Sequence, residues 1–124
     1  MRNGSVIYFC KRTSEPDDDI EVFAKPQAFV LKPQYFTIQP ASGFLDTQAF
    51  GEFVDITNKG MVFPYEKWEN VFHEGDRLYL DKEPDGYSTD VEPDDGWGYD
   101  ADAKIYAVKK QNRAIALTIR SIVK

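Results

Sequence analysis

The chain has only one cysteine and one histidine among its 124 residues, and these scarcities exclude several kinds of site. The single Cys10 cannot form an intramolecular disulfide, and without a cysteine cluster there is no thiolate set for structural zinc. No stretch approaches the roughly 18 consecutive apolar residues of a membrane span, and no apolar signal core follows the amino terminus. We therefore expect a protein that is made and kept in the cytoplasm, with no membrane partner.

Positive charge is also scarce, since 15 Lys and Arg stand against 21 Asp and Glu for a formal net charge of −6. Non-specific nucleic-acid binding depends on basic side chains that neutralise phosphates, so we expect no specific nucleic-acid binding. Aromatic residues are abundant at 15%, and 8 Gly and 7 Pro are spread along the chain. This composition is typical of a globular protein with many turns, and residues 1–124 are expected to form a single domain.

Alternation of apolar and polar residues dominates the chain and predicts short strands. The first two, 6–12 and 20–24, are expected to form a hairpin across the acidic turn 14–19. A polar turn at 110–113, in which Asn112 can take a positive φ, is expected to join the last two strands. Strands at 51–56 and 60–63 are expected to pair with each other. The remaining predicted strands are 29–31, 35–39, 77–80, 104–110 and 113–123. A turn is expected at 40–43, followed at 44–50 by an irregular segment or a single helical turn.

Helical spacing of apolar residues is found in one place only. Tyr65, Trp68, Val71 and Phe72 fall on one side of a two-turn helix, and Pro64 is well placed to begin it. About seven to eight short antiparallel strands, with at most one short helix near 65–72, predict an all-β fold. We expect a small barrel or sandwich.

Residues 82–102 do not fit the strand pattern, and we expect a long acidic loop inserted within the domain. The segment holds two prolines, three glycines and eight carboxylates. Structureless loops of this length are uncommon in compact domains and are usually functional or disordered. The carboxylates form a candidate interaction or channel loop: Glu83, Asp85, Asp90, Glu92, Asp94, Asp95, Asp100 and Asp102.

Two other interpretations of this loop stay open, a solvated loop and a metal site. Calcium prefers several oxygen ligands from one short loop, which makes Asp90, Asp94, Asp95 and Asp100 a weak alternative ligand set. Their spacing does not match an EF-hand, and we expect no bound metal and no cofactor. Large stiff aromatic side chains favour interfaces. The possible interface aromatics are Tyr65, Trp68, Tyr87, Trp97 and Tyr99.

Catalytic chemistry is not indicated by the arrangement of reactive residues. His73 lies beside Glu74 and near Asp76, but no nucleophile is placed to complete a triad, and we expect a histidine in a turn. Cys10 follows an apolar run and is expected to be buried. A hydrolase with paired carboxylates would need inward-facing pairs, which no predicted strand shows. We therefore expect no catalytic residues and no enzyme activity.

Several segments carry a family resemblance when they are taken in order. They are the strand pair at the amino terminus, a strand beginning Gly51-Glu52, the run NKGMVFPY at 58–65, the turn and strand EGDRLYL at 74–80, and a closing hairpin from IYAVK into ALTI. Over about residues 50–81 and 104–123, the chain resembles small minor capsid or head-closure proteins of long-tailed bacteriophages that infect Gram-positive bacteria.

The resemblance implies a non-enzymatic structural protein with a defined place in the virion. Such a protein would be a small β-barrel that forms or joins a homo-oligomeric ring on the portal, helps retain packaged DNA and offers the tail a docking surface. Its partners would be the portal, the tail or neighbouring connector subunits, first in the bacterial host cytoplasm and then in the virion. An acidic loop facing the channel would discourage passing DNA from adhering. The alternative is a small β-barrel that binds a small molecule or calcium beneath loop 82–102.

Overall fold

The computed structural model describes residues 4–15, 17–40 and 56–122, without the side chains of Pro40, Ile56 and Thr57. The predicted turn at 40–43, the irregular segment 44–50 and most of the predicted strand 51–56 lie outside these residues. The described elements are seven strands and one short helix: β1 (Val6–Cys10), β2 (Gln27–Val30), β3 (Phe36–Pro40), β4 (Ile56–Val62), α1 (Tyr65–Trp68), β5 (Arg77–Tyr79), β6 (Ala103–Gln111) and β7 (Ala114–Ser121).

The seven strands form one sheet in the order β2-β1-β5-β6-β7-β4-β3, and all its pairings are antiparallel. The predicted all-β class is therefore confirmed. Phe29 of β2 lies against Phe36 of β3, with ring centroids 5.9 Å apart, so the two end strands of the order approach each other. The sheet thus curves around one core, as the sheet of a small barrel does. No helix in these residues is long and apolar enough to cross a membrane.

The main core is built from the inward-facing residues of the strands. On β1 these are Ile7 and Phe9, and on β7 they are Ile115, Leu117 and Ile119. Such alternation is the signature of a strand with one face on a core. One end of the core is closed by an aromatic cluster in which the rings meet edge-to-face, tilted or stacked: Phe29, Phe36, Trp68 and Phe72.

The predicted two-turn helix is present as a single turn. Helix α1 begins after Pro64, as predicted, and ends at Trp68. Asn70 has a φ of 65°, in the left-handed region where a right-handed helix cannot continue. Phe72 nevertheless reaches the core beside Trp68, so both rings lie on the inner side although the helix is shorter.

The predicted hairpin of 6–12 with 20–24 is present, but most of its ladder lies further along the return strand. Residues 20–24 contribute the Arg12–Phe23 bridge, and the Thr13 and Ala24 N–H groups donate to the Val22 and Lys11 carbonyls. Beyond them β2 (Gln27–Val30) forms the ladder with β1. Ile20 and Val22 alternate as a buried strand would, but both are exposed.

The predicted pairing of 51–56 with 60–63 lies mostly outside the described residues. Ile56 and Gly60 belong to one strand, β4, which pairs with β3 and β7. A Cβ on Gly60 would lie at an ordinary contact distance of 3.4 Å from the Leu117 side chain, and this glycine lies within a strand rather than in a turn. The closing hairpin of β6 and β7 is confirmed, and Asn112 in its turn has a φ of 57°.

Candidate interaction surface

The acidic segment between β5 and β6 packs against the outer face of the sheet. Because side chains alternate along β1, Tyr8 and Cys10 face away from the main core. Together with Tyr79 of β5 they meet Phe23, Trp97, Ala101 and Ile122, which form a second cluster that we call the outer core. Residues 82–102 therefore have a packed base, and β1 and β5 are covered on both faces.

Two carboxylates of the segment fix it to β5. The Asp102 carboxylate accepts hydrogen bonds from the backbone N–H groups of Leu80 (2.8 Å) and Asp81 (3.0 Å). The Asp100 carboxylate accepts the Tyr79 hydroxyl at 2.5 Å and the Asp85 N–H at 3.1 Å. These bonds span 15 to 22 residues, so they hold the ends of the segment together at the sheet.

Asp100 also has an unusual titration. Burial alone would raise the pKa of Asp100, but the hydrogen bonds from Tyr79 and Asp85 and the Lys82 ammonium, 3.3 Å away, hold that pKa below its usual range. Two further carboxylates have partners within the protein. The Asp85 carboxylate accepts the Tyr99 hydroxyl at 2.9 Å, and Asp90 forms an ion pair with Lys25.

The other four carboxylates of the segment are exposed, and we call them the outward carboxylates: Glu83, Glu92, Asp94 and Asp95. Within the described part of the chain they make no hydrogen bond or ion pair. Glu92, Asp94 and Asp95 border a cleft of about 440 Å³ that also contacts Val91 and Tyr99. The eight predicted loop carboxylates thus divide into four that have partners within the protein, of which Asp85 and Asp90 are also exposed, and the four outward carboxylates.

The four carboxylates of the weak metal alternative have different surroundings. Asp100 accepts the Tyr79 hydroxyl and Asp90 is paired with Lys25, whereas Asp94 and Asp95 face solvent. Over residues 4–15, 17–40 and 56–122, no group of three or more His, Cys, Asp or Glu side chains is placed to hold a metal ion.

The five predicted interface aromatics fall into different environments. Trp68 is 7% exposed, and most of its ring lies in the main core. Trp97 packs on the outer core, and Tyr87 meets Tyr8 edge-to-face with centroids 5.0 Å apart. Tyr65 is half-buried under the Lys110 ammonium, which lies 3.9 Å from its ring centroid. Tyr99 is the most open of the five, at 39% exposure.

No protein-family model, curated protein or solved structure matches this chain. Its function is therefore inferred from its own geometry and from the resemblance described above.

A buried carboxylate in the 73–76 turn was not predicted as a site. Asp76 is 1% exposed, and its two oxygens accept the backbone N–H groups of Arg12 and His73, each at 2.9 Å. Gly75, with a φ of 95°, supplies the turn. The His73 side chain is exposed, as expected for a histidine in a turn, and Asp76 is occupied by backbone donors. The local turn was recognisable in the sequence, but the bond to Arg12, 64 residues away, was not.

The burial predicted for Cys10 is confirmed, and it makes a chemical prediction. Burial, with the Asp100 and Asp76 carboxylates adding to it, raises the pKa of Cys10 to about 12. Because the thiolate is the nucleophile, the native protein should react with a disulfide reagent at pH 8 about a thousandfold more slowly than the urea-unfolded chain. A stopped-flow thiol assay measures both rates, and equal rates would contradict the buried position.

Proposed function

We propose that this chain is a structural virion protein at the head-tail interface of a phage or prophage particle, where it forms or joins a ring on the portal. The observation that carries the proposal is the division of the acidic segment. Four carboxylates stay outward on a packed base, and their segment is held by Asp100 and Asp102. A ring would repeat this fixed negative charge around its axis and discourage DNA from adhering.

The buried carboxylates support a non-enzymatic role. Asp76 accepts two backbone N–H groups, and Asp100 accepts a hydroxyl and a backbone N–H. Groups engaged in this way stabilise a fold and leave no free base for a substrate. The role of the chain is then to present surfaces to neighbouring proteins.

The direct test is binding to the portal protein encoded in the same genome. The chain is mixed with isolated portal, and mass photometry measures the masses of the species. We expect a portal complex that carries several copies of this chain. If portal mass is unchanged while calcium or a small-molecule panel raises the melting temperature, the ligand-binding barrel is supported instead.

Neutralising two outward carboxylates should alter DNA retention without unfolding the protein. Asp94→Asn with Asp95→Asn is expected to change the free energy of unfolding by no more than about 0.5 kcal/mol, because both side chains are exposed. In assembled particles the same variant should change the fraction of heads that retain DNA, measured by nuclease protection. The matched control is Glu66→Gln with Glu74→Gln, which removes two exposed charges elsewhere. A variant that behaves like this control would argue against a channel role.

A further inference from the structure

A groove of about 360 Å³ lies between β2, the start of β3 and α1, beside the point where Lys32 exchanges backbone hydrogen bonds with Phe36. Phe29, Phe36 and Trp68 form its aromatic floor, and their rings lie 5.4 to 5.9 Å apart by centroid. Val30 and Tyr35 border it and are 47% and 50% exposed. Apolar area of this kind beside an end strand is a surface suited to receiving another extended segment.

The edge of β2 and the charge around the groove define what could bind there. Leu31 exchanges backbone hydrogen bonds with Gly4 and Ser5 on the β1 side, so by strand alternation the N–H and C=O groups of Ala28 and Val30 face away from β1. Two exposed lysines, Lys32 and Lys67, also line the groove. The matching ligand is an extended segment that has aliphatic side chains and carries negative charge.

The chain itself contains a segment with these two kinds of side chain at residues 17–22, which we call the acidic arm. Its sequence is DDDIEV, and Ile20 and Val22 are 74% and 51% exposed, so both aliphatic side chains face solvent. The Glu21 carboxylate lies 3.0 Å from Arg77 and ties the arm to the body of the protein.

The arm and the groove lie at opposite ends of one hairpin. Val6 pairs with Val30 at the groove end, and the Thr13 N–H donates to the Val22 carbonyl at the arm end. The seven steps from residue 6 to residue 13 span roughly 23 Å at a rise of about 3.3 Å each. The arm of one copy therefore cannot fill its own groove.

We propose that the β2 groove of one copy receives the acidic arm of the next copy. Ile20 and Val22 would pack on the aromatic floor, and Asp17 and Asp19 would approach the groove lysines. A contact between two different surfaces assembles copies head-to-tail, which closes into a ring when the rotation allows. The contact would join neighbouring subunits of the ring proposed above. It rests on that proposal only for the closure of the ring at the portal.

Cysteine cross-linking tests the contact. The Ile20→Cys and Val30→Cys double variant places one thiol on each surface, and buried Cys10 adds no accessible thiol. Under oxidation we expect a ladder of trimers and larger species, whereas either single variant can form dimers at most. The matched control pairs Val30→Cys with Val91→Cys, since Val91 is 63% exposed and lies outside the arm. Trimers should form about tenfold faster in the arm variant than in this control.

Charge reversal provides the second arm of the test. Adding Lys32→Glu and Lys67→Glu to the cross-linking variant should slow trimer formation about tenfold, because opposite charges become like charges. Adding Asp17→Lys and Asp19→Lys as well should restore the rate. A ladder no faster than the Val91 control, or a rate indifferent to both reversals, would overturn the contact. A charge-dependent ladder without portal binding would support the contact and refute the head-tail role.

Discussion

Replacing Asp76 with Ala is expected to lower the free energy of unfolding by about 2–5 kcal/mol, because it leaves two buried backbone N–H groups without an acceptor. These donors belong to Arg12, at the end of the first strand segment, and to His73, in the turn before β5. The carboxylate therefore joins two distant parts of the chain. Urea unfolding followed by circular dichroism measures the loss. Glu74→Ala, an exposed carboxylate in the same turn, is the control and should change stability by less than about 0.5 kcal/mol.

The pH dependence of Asp76 separates its charge from its hydrogen bonds. Burial raises the pKa of Asp76, and the N–H groups of Arg12 and His73 oppose that rise only in part. A raised carboxyl pKa gives stability that is present below the unfolded value of about 3.9 and is lost as pH rises through the folded pKa. The free energy of unfolding of the native protein should therefore exceed that of Asp76→Asn by most at acidic pH, and the difference should decrease as the pH rises. An advantage that grows as the pH rises would contradict the burial assigned to this carboxylate.

Replacing Tyr79 with Ala is expected to cost about 3–5 kcal/mol, as removal of a large buried aromatic side chain usually does. Tyr79 of β5 is fully buried in the outer core, and its hydroxyl donates to Asp100. Loss of the Tyr79 side chain should make the 82–102 segment accessible to protease before the strands of the sheet. Limited proteolysis with mass spectrometry locates the first cut, and a first cut within β6 or β7 would contradict a segment anchored by Tyr79.

The Tyr79→Phe variant isolates the hydrogen bond to Asp100. Its expected cost is about 1.5–3 kcal/mol at neutral pH, typical of a bond to a charged group. Because the pKa of Asp100 is lowered, this stability is present above the unfolded pKa of about 3.9 and is lost as pH falls through the folded pKa. The difference in free energy of unfolding between the native protein and Tyr79→Phe should therefore become smaller as the pH falls. Tyr99→Phe is the matched control, since its hydroxyl also donates to a carboxylate but is exposed, and it should cost less than about 1 kcal/mol.

The fold class followed from the sequence wherever alternation matched burial. The β6 and β7 hairpin was predictable because long alternating runs flank a turn in which Asn112 accepts a positive φ. The first hairpin was predictable only in part. Ile20 and Val22 alternate as a buried strand would, yet they are exposed, and most of the ladder beside β1 is formed further along the return strand by β2.

The candidate surface was predictable as a segment but not in its parts. The acidic composition identified residues 82–102 as one segment. The hydrogen bonds that distinguish Asp100 and Asp102 from the outward carboxylates come from Tyr79, Leu80 and Asp81, which precede the segment. One signal was present in the sequence. Val6–Cys10 is almost continuously apolar, and a strand of this kind is expected where both faces are covered. That pattern could have indicated an outer core before the structure showed it.

Cryo-electron microscopy of purified particles tests the central claim most directly, since it shows where this chain lies in the virion. We expect a closed ring of this chain on the portal, with neighbouring copies joined through the acidic arm and the β2 groove. Particles in which the portal and tail meet without this chain would contradict the account.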